Sequence, residues 1–394
     1  MIFKIARQNL NLCRFCGICR DVVSCPTKLF TEDCIGCGAC YLACPYRAIE
    51  MVPHKRKKLI KIWIDREIFF VPEKITVSDA LRFAGFHVPV PCGVGGCFSC
   101  AVRIDSEMRP ACVTGVVEGM QIDTKTKSEP VRMVSGFSPH IVGGVGTPYV
   151  LKNYKRPVEV ACFLHGCNYR CPQCQNHVMA FTGGVAMTPE TVAEILNQMK
   201  VVYRVERIAF SGGECTLNRE FLIETIKCLK RMDNDVRIHV DTNGSLLTSD
   251  YIDELVNTGM TDIGIDLKAL SLNTFTRITA VSEGAERYLK TTWNAVKYIL
   301  ENHDIFIGIG IPYNRDLISK EEIRAMGRRL AQMGADVQVC VLDYRPAFRR
   351  RDLSPPTVAE MVEVRDILRG CGLTTVIAQT RQELKNCPGY TSPW

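Results

Sequence analysis

The sequence predicts a multidomain α/β protein: two small cysteine-bearing modules, then an open, mostly parallel (β/α)6 sheet or partial barrel. Three observations predict it. Twelve of the 21 cysteines fall between Cys13 and Cys112. Two β-favouring runs, LIKIWI and EIFFV, meet at Asp65-Arg66. From residue 158 onward, short apolar runs alternate with helical stretches. A length of 394 residues agrees with two or three domains at roughly 150 residues each.

Residues 1–54 read as cysteine-rich and loop-like, and Lys55-Arg56-Lys57-Lys58 reads as a solvated boundary. Residues 59–125 read as a β-rich domain with a hairpin at Asp65-Arg66, a short helix from Ser78 to Phe86 and the strand AVRI. Residues 126–157 hold Pro130, Pro139, Gly143, Gly144, Gly146, Pro148 and Pro157, which reads as a linker. In residues 158–394 the expected strands are 158–163, 207–210, 236–240, 262–267, 304–311 and 337–342. The expected helices are 189–200, 218–231, 249–257, 285–301 and 319–333. In such folds chemistry collects at the carboxyl ends of the strands.

Composition narrows the class. With 46% apolar and 23% charged residues, disorder, collagen and coiled coil are excluded. No stretch reaches the ~18 apolar residues of a membrane helix. The start MIFKIARQNLNLC lacks an apolar signal core, so a cytoplasmic protein without a membrane partner is expected. A net charge of +7 supports no nucleic-acid partner. The cysteines bunch at fixed spacings in a chain long enough to need no staples, which favours metal or cluster ligation over disulfides.

Cys13, Cys16 and Cys19 are spaced C-x2-C-x2-C and followed by Cys25-Pro26; Cys34, Cys37 and Cys40 repeat this before Cys44-Pro45. Three close thiolates grip one cubane, while the distant fourth ligates the other. The expected sets are therefore Cys13, Cys16, Cys19 with Cys44, and Cys34, Cys37, Cys40 with Cys25. Paired structural zinc sites are the alternative. The segment resembles a bacterial two-cluster ferredoxin, with two extra residues before Cys25. In PCGVGGCFSC, Cys92, Cys97 and Cys100 are spaced C-x4-C-x2-C, and Cys112 follows. Gly93, Gly95 and Gly96 allow close backbone approach. This resembles the β-grasp [2Fe–2S] domains of respiratory complexes; zinc is again the alternative.

Cys167, Cys171 and Cys174 are spaced C-x3-C-x2-C directly after the strand VEVACF. Three thiolates leave one iron of a [4Fe–4S] cluster open. Ser211-Gly212-Gly213-Glu214, Asp241-Thr242-Asn243-Gly244 and Asp266-Leu267-Lys268 follow at successive strand ends. With these motifs, residues 158 to about 390 resemble the radical SAM superfamily. The resemblance implies that the open iron chelates S-adenosylmethionine (SAM), that Glu214 accepts from the methionine ammonium, and that Ser211, Gly212, Gly213, Asp241, Thr242, Asn243, Asp266 and Lys268 line the cofactor site. It implies a fold of a partial (β/α)6 radical SAM barrel preceded by a 2[4Fe–4S] ferredoxin module and a β-grasp [2Fe–2S] domain, hence three [4Fe–4S] clusters, one [2Fe–2S] cluster and SAM. It also implies reductive cleavage of SAM to a 5′-deoxyadenosyl radical that takes hydrogen from a substrate.

DTNG and DLK, with Gln175-Asn176, resemble the pyruvate formate-lyase activating enzymes; DYRPAFRRRDLSPPTVAEM resembles the AmmeMemoRadiSam branch. The resemblance implies a protein or peptide substrate such as a glycyl radical enzyme, and an external low-potential electron donor. A small-metabolite substrate and an electron-transfer subunit of a larger oxidoreductase are the competing readings. Two positions depart from the family. Gln173 stands where an aromatic residue usually lies beside the adenine, and Cys215 stands where proline is common. Cys215 reads either as incidental or as a thiol near the SAM site. Cys162, Cys228, Cys340 and Cys371 read as core, and Cys387 as a free thiol. His165 reads as a local backbone hydrogen-bonding group. Arg345, Arg349, Arg350 and Arg351 read as a barrel-mouth anion site or a solvated basic turn.

Overall fold

The computed structural model describes residues 2–23, 25–27, 29–125, 129–152 and 155–380. Cys387 lies outside the described residues. The amino-terminal module has more regular structure than its loops suggest. Strand β1 (Ile2–Gln8) and strand β2 (Ile49–Lys55) pair antiparallel, with Gln8 opposite Ile49, and helix α1 (Ala39–Ala43) lies between them in sequence. The paired ends close the module, so both cysteine runs hang from one two-stranded ribbon.

The second module contains β3 (Leu59–Ile64), β4 (Glu67–Pro72), α2 (Val77–Phe83), β5 (Ala101–Ile104), β6 (Glu107–Pro110) and β7 (Gln121–Asp123), ordered β4-β3-β7-β5-β6. Ile60, Ile62 and Ile64 alternate inward in β3, the period of a half-buried strand. The hairpin turns at Asp65 (φ 51°) and Arg66 (φ 74°), two successive left-handed residues as a two-residue turn requires. Thr76 caps α2 by accepting from the Asp79 amide.

The third unit is a nine-stranded sheet. Its elements are β8 (Arg132–His140), β9 (Glu159–Leu164), α3 (His177–Phe181), β10 (Val185–Met187), α4 (Pro189–Tyr203), β11 (Arg207–Gly212), α5 (Arg219–Met232), β12 (Arg237–Thr242), α6 (Ser249–Thr258), β13 (Met260–Asp266), α7 (Leu272–Thr279), α8 (Ala285–Asn302), β14 (Phe306–Tyr313), α9 (Lys320–Met333), β15 (Gln338–Asp343), α10 (Val358–Arg369) and β16 (Val376–Gln379). The order is β10-β8-β9-β11-β12-β13-β14-β15-β16. All pairs from β9 to β16 are parallel. Each of the six expected strands and five expected helices is present within a few residues, and β16 adds a seventh parallel strand. Among the described residues no helix is long and apolar enough to cross a membrane.

The expected 126–157 linker is corrected here. β8 pairs antiparallel with β9, from Val134 opposite Leu164 to His140 opposite Glu159, and so belongs to the sheet. The next turn enters the sheet's concave side. A Cβ on Gly146 would lie 2.4 Å from the Gly264 amide and 2.5 Å from His239 Nε2; one on Gly308 would lie 2.1 Å from the Val145 carbonyl. Gln338 Nε2 donates to the carbonyls of Val145 and Thr147, and Lys152 Nζ to those of Val142 and Gly144. The glycines that read as linker composition are what lets main chain pass between strands.

The three units share an apolar junction. It contains Val23, Ala39 and Ala43 of the first, Cys92, Val94 and Cys97 of the second, and Ala180, Phe181, Leu217 and Phe348 of the third. The floor formed by Val145 and Gly146 has little room to give, since backbone of β13 and the His239 ring crowd Gly146. Gly146→Ala should therefore destabilise the third unit by about 1–3 kcal/mol in denaturant unfolding, the usual cost of overpacking; an unchanged midpoint would show that the turn is loosely held.

Candidate active site

The loop carrying Cys167, Cys171 and Cys174 leaves the carboxyl end of β9. Gly166 (φ +88°) begins it, and its amide donates to the Met179 carbonyl while its own carbonyl accepts from the Glu214 amide. A Cβ on Gly213 would lie 2.2 Å from that carbonyl, so the β9 and β11 loops meet backbone to backbone. Asn168 Nδ2 donates to Ser245 Oγ (2.8 Å), and Asn243 Nδ2 donates to Asn168 Oδ1 (3.0 Å). The third cysteine is followed by Gln175, whose amide donates to the Asp343 carbonyl, and Asn176, whose amide donates to the Gly212 carbonyl.

Glu214, 0% exposed, joins two strand ends. Oε1 accepts from the Thr216 amide and hydroxyl and from Thr242 Oγ1 (2.6 Å); Oε2 accepts from the Asn243 amide (2.7 Å). Its first duty is thus to tie the β11 and β12 loops; a carboxylate has about four acceptor directions, which leaves Oε2 capacity for a cation. Lys268 Nζ donates to Asp266 Oδ2 (2.7 Å) and Tyr344 Oη (3.0 Å). Burial opposes the Lys268 charge, but Asp266, Tyr344 and Cys171 beside it hold it protonated. Burial pushes the Cys167 thiol up, with Cys171, Glu214 and Cys174 adding to it, and takes Cys174 to about 12. The three thiols therefore share one site with Glu214, Asp266 and Lys268 as charged neighbours. Ser211 lies on β11 beside Phe163 of β9.

Asp241 does not join this group. Its Oδ1 accepts from His239 Nε2 (2.9 Å), and His239 Nδ1 meets Glu159 Oε2 (3.0 Å). Burial alone would lower the His239 pKa, but Asp241 and Glu159 on either side raise it to about 10. Glu159 also accepts from Gly144 N and Thr147 Oγ1, so this chain of charges pins the floor turn.

The twelve cysteines from Cys13 to Cys112 fall into three groups of four. Cys19 is pushed up by burial and then by Cys44, Cys16 and Cys13. Burial takes Cys40 to about 12, with Cys37, Cys34 and Cys25 as its thiol neighbours. Cys25, Cys34, Cys37 and Cys40 line one enclosed cavity with Ala6 and Ile35. Cys92, Cys97, Cys100 and Cys112 are at most 4% exposed, with 3.2 Å between the Cys92 and Cys97 sulfurs and Cys112 within reach of Cys92 and Cys100. Amides of Ala6, Ala48, Phe15 and Tyr169 point at the sulfurs of Cys34, Cys44, Cys13 and Cys167. Convergent thiolates with N–H donors fit iron–sulfur clusters. For an organic cofactor, the fit is carried by Gln173, 1% exposed, whose Oε1 has no partner among the described residues while its side-chain amide donates to the Ile278 carbonyl.

Several residues escaped sequence reasoning. Arg132 is fully buried and donates to the carbonyls of Cys215 (2.5 Å), Glu214 (2.5 Å) and His165 (3.1 Å), bracing both glycine-rich loops. Arg170 reaches the carbonyls of Cys167 and Cys92. Arg349 is neither a barrel-mouth ligand nor a solvated turn: it binds the carbonyls of Tyr41, Leu42 and Cys44, and its amide donates to the Pro172 carbonyl. Arg345 instead holds Gln175, Arg351 holds Tyr46, and Arg350 pairs with Asp352. Arg170 sits inside the cysteine motif and was visible there; Arg132 and Arg349 act across more than 80 residues and leave no local pattern. Cys215, 0% exposed, donates to the Asp241 carbonyl and packs in the core. His165 Nδ1 meets the Met179 carbonyl at 2.9 Å, the local bond expected of it.

Comparison with known proteins agrees with this architecture. Residues 162–319 match the radical SAM superfamily, residues 27–50 the 4Fe–4S binding domain and residues 63–127 the 2Fe–2S iron–sulfur cluster binding domain. The chain thus carries a radical SAM domain, the domain of an enzyme superfamily, fused to two ferredoxin-type domains. A Methanocaldococcus jannaschii protein named as a glycyl-radical enzyme activating enzyme is 33% identical over 29% of this chain and 45% of its own length. A protein of Methanocella arvoryzae named as a GTP 3′,8-cyclase is 34% identical over 29% of this chain and 34% of its own. The pyruvate formate-lyase-activating enzyme of Clostridium pasteurianum is 27% identical over 48% of this chain and 75% of its own. The chain spans less than half the length of the first two.

Two outcomes follow from the geometry. Arg132→Met takes the guanidinium from the Cys215 and His165 carbonyls and leaves the Glu214 carbonyl only the Leu217 amide, which should cost about 2–5 kcal/mol in thermal or denaturant unfolding; a loss under 1 kcal/mol would mean that water replaces the guanidinium. His239 stays protonated in the folded chain up to about pH 10 but only to about 6.5 when unfolded. Stability should therefore fall by roughly 1.4 kcal/mol per pH unit between those values and level off above. His239→Gln should remove that slope, read from urea midpoints across the range.

Proposed function

We propose that this protein is an enzyme that cleaves SAM reductively and takes a hydrogen atom from a protein or peptide, with electrons supplied through its own ferredoxin domains. The observation that carries the reading is the Cys167–Cys171–Cys174 site, whose charged neighbours among the described residues are Glu214, Asp266, Lys268 and Arg170 and not a fourth cysteine. Three thiolates suit a [4Fe–4S] cluster with one open iron. When bound there, the reduced cluster and SAM together supply a 5′-deoxyadenosyl radical that abstracts hydrogen.

The chain's residues would serve as follows. Cys167, Cys171 and Cys174 hold the cluster, and Asn168 and Asn243 fix the loop against β12. Gly212, Gly213 and Ser211 keep a low backbone wall, and Glu214 presents Oε2 toward a cationic group. Thr242 and Asn243 orient Glu214, while Asp266 and Tyr344 hold Lys268 in place. Asp241 is assigned to the floor and not to the cofactor.

The proposed cofactor set is three [4Fe–4S] clusters, one [2Fe–2S] cluster and SAM, with the cysteine fours above as ligands. Support for an internal relay comes from packing. Cys37, Cys92, Cys97, Cys167 and Cys174 all belong to the one apolar junction, and Arg170 and Arg349 each bridge the catalytic loop to a different ferredoxin domain. A Cβ on Gly166 would lie 3.3 Å from the Cys92 sulfur, so the [2Fe–2S] loop lies against the catalytic loop. The activating-enzyme relatives support a macromolecular hydrogen donor; likeness to GTP 3′,8-cyclases supports a small metabolite as the second reading.

Anaerobically reconstituted protein with dithionite and SAM should form 5′-deoxyadenosine, read by mass spectrometry, and Cys174→Ala should not. Formation that survives the substitution would overturn the assignment. Supplying macromolecular and small-molecule fractions of a deuterated cell extract separately then divides the readings: deuterium in 5′-deoxyadenosine is expected from the macromolecular fraction, and label from the small-molecule fraction alone would favour the metabolite.

A further inference from the structure

Among the described cysteines only Cys16 is exposed. Four large apolar side chains between residues 10 and 22 also face solvent: Leu10 at 65%, Leu12 at 47%, Phe15 at 78% and Val22 at 39%. Single exposed apolar residues need no explanation, but a group around one cysteine site does. Phe15 makes the point most sharply. Its φ of 51° is a left-handed backbone that a bulky residue rarely adopts, and such strain collects at functional positions. Its amide donates to the Cys13 sulfur, so the turn that serves the thiolate is the turn that displays the ring.

Charge completes the surface. Lys4, Arg7, Arg14 and Arg20 are all exposed; Arg20 pairs with Asp21 at 2.7 Å and Arg7 stands opposite the exposed Glu50 of β2, while Lys4 stands opposite Pro53 and Arg14 lies in the loop that displays Phe15. An apolar centre with a basic rim matches a partner of opposite charge and disfavours a second copy of the same face. The other two cysteine fours offer no such approach. Cys92, Cys97, Cys100 and Cys112 are buried; Cys34 and Cys40 are buried and Cys25 and Cys37 half-buried, around a cavity also lined by Leu29, Phe30 and Ile35.

We propose that this face docks a small acidic protein carrying one low-potential electron, and that the Cys13, Cys16, Cys19 and Cys44 group is where electrons enter. The inference rests on the relay of the proposed function and adds its first step and its partner. One electron leaves the reduced carrier and one enters the oxidised cluster; no bond forms or breaks. The path then runs inward to the Cys25 group and the apolar junction.

The test uses the full chain, reconstituted anaerobically and oxidised. Photoreduced flavodoxin, an acidic carrier, is mixed with it in a stopped-flow spectrophotometer at low and high KCl, with dithionite as a reductant that needs no docking. Flavodoxin should reduce the wild type faster at low salt. Arg14→Glu and Phe15→Asn, the latter compatible with a left-handed backbone, should each slow flavodoxin about tenfold and leave dithionite rates unchanged. Equal flavodoxin rates in wild type and variants, or no effect of salt on the wild type, would overturn the proposal. A wild-type dimer that Phe15→Asn dissociates would overturn it too, by giving the face to a second copy. Should a variant lose its cluster, Arg7→Glu, outside the cysteine loop, gives the same reading. Dithionite-driven 5′-deoxyadenosine formation reports the proposed function separately: its absence would remove that reading while cluster reduction still judges the docking face.

Discussion

One residue without a side chain sets the terms for everything around it. Gly166 must accept the Glu214 amide, donate to Met179 and lie against Cys92, and a Cβ there would fall 2.9 Å from the Cys92 Cβ. The second and third units therefore meet across a residue that projects no side chain. From this contact follow the position of Cys167 one residue on, the close seating of the [2Fe–2S] loop, and the need for Gly213 and Gly96 opposite. Gly96 is pressed against His165 and the Gly166 amide. Its bareness, which reads in the sequence as room for a cluster, also serves the interface.

Around that contact, positive charge is used as mortar. Arg132, Arg170 and Arg349 all spend their donors on main-chain carbonyls and not on carboxylates. A fork of fixed N–H groups suits this role, because loop carbonyls at a domain junction have no ladder of their own. Each arginine binds two segments distant in sequence, and two of them bind segments from different units. Negative charge is handled in the opposite way. Glu159 and Asp241 stand on either side of a shared histidine, and Glu214 is held by hydroxyls and amides. The loops at the carboxyl edge are thus fixed by hydrogen bonds that need no water.

What the sequence made legible was whatever repeats locally. The β/α alternation placed six strands and five helices, because apolar period alone decides them. The cysteine spacings foretold groupings that the fold then brings together, Cys44 with the first triplet and Cys25 with the second. What stayed hidden depends on distant partners. β8 was masked by Gly136 and Pro139, which break a strand pattern but sit where the strand meets β9 at a register shift and near its end. Asp241 read as a cofactor residue because its motif stands at a strand end. Its side chain turns instead toward His239, which only the glycine-lined interior makes possible.

The place of β8 changes where the molecule can be divided. The cysteine motif suggests a catalytic unit that starts at residue 158, yet the strand pairing along β9 and the buried arginine bracing both loops lie upstream of that cut. A self-sufficient piece has to start before Arg132. The described residues that follow the second module thus open with a strand of the nine-stranded sheet. Exchange of those domains between proteins, in the laboratory or over evolutionary time, would have to carry the seam at about residue 128 and preserve the outermost strands with it.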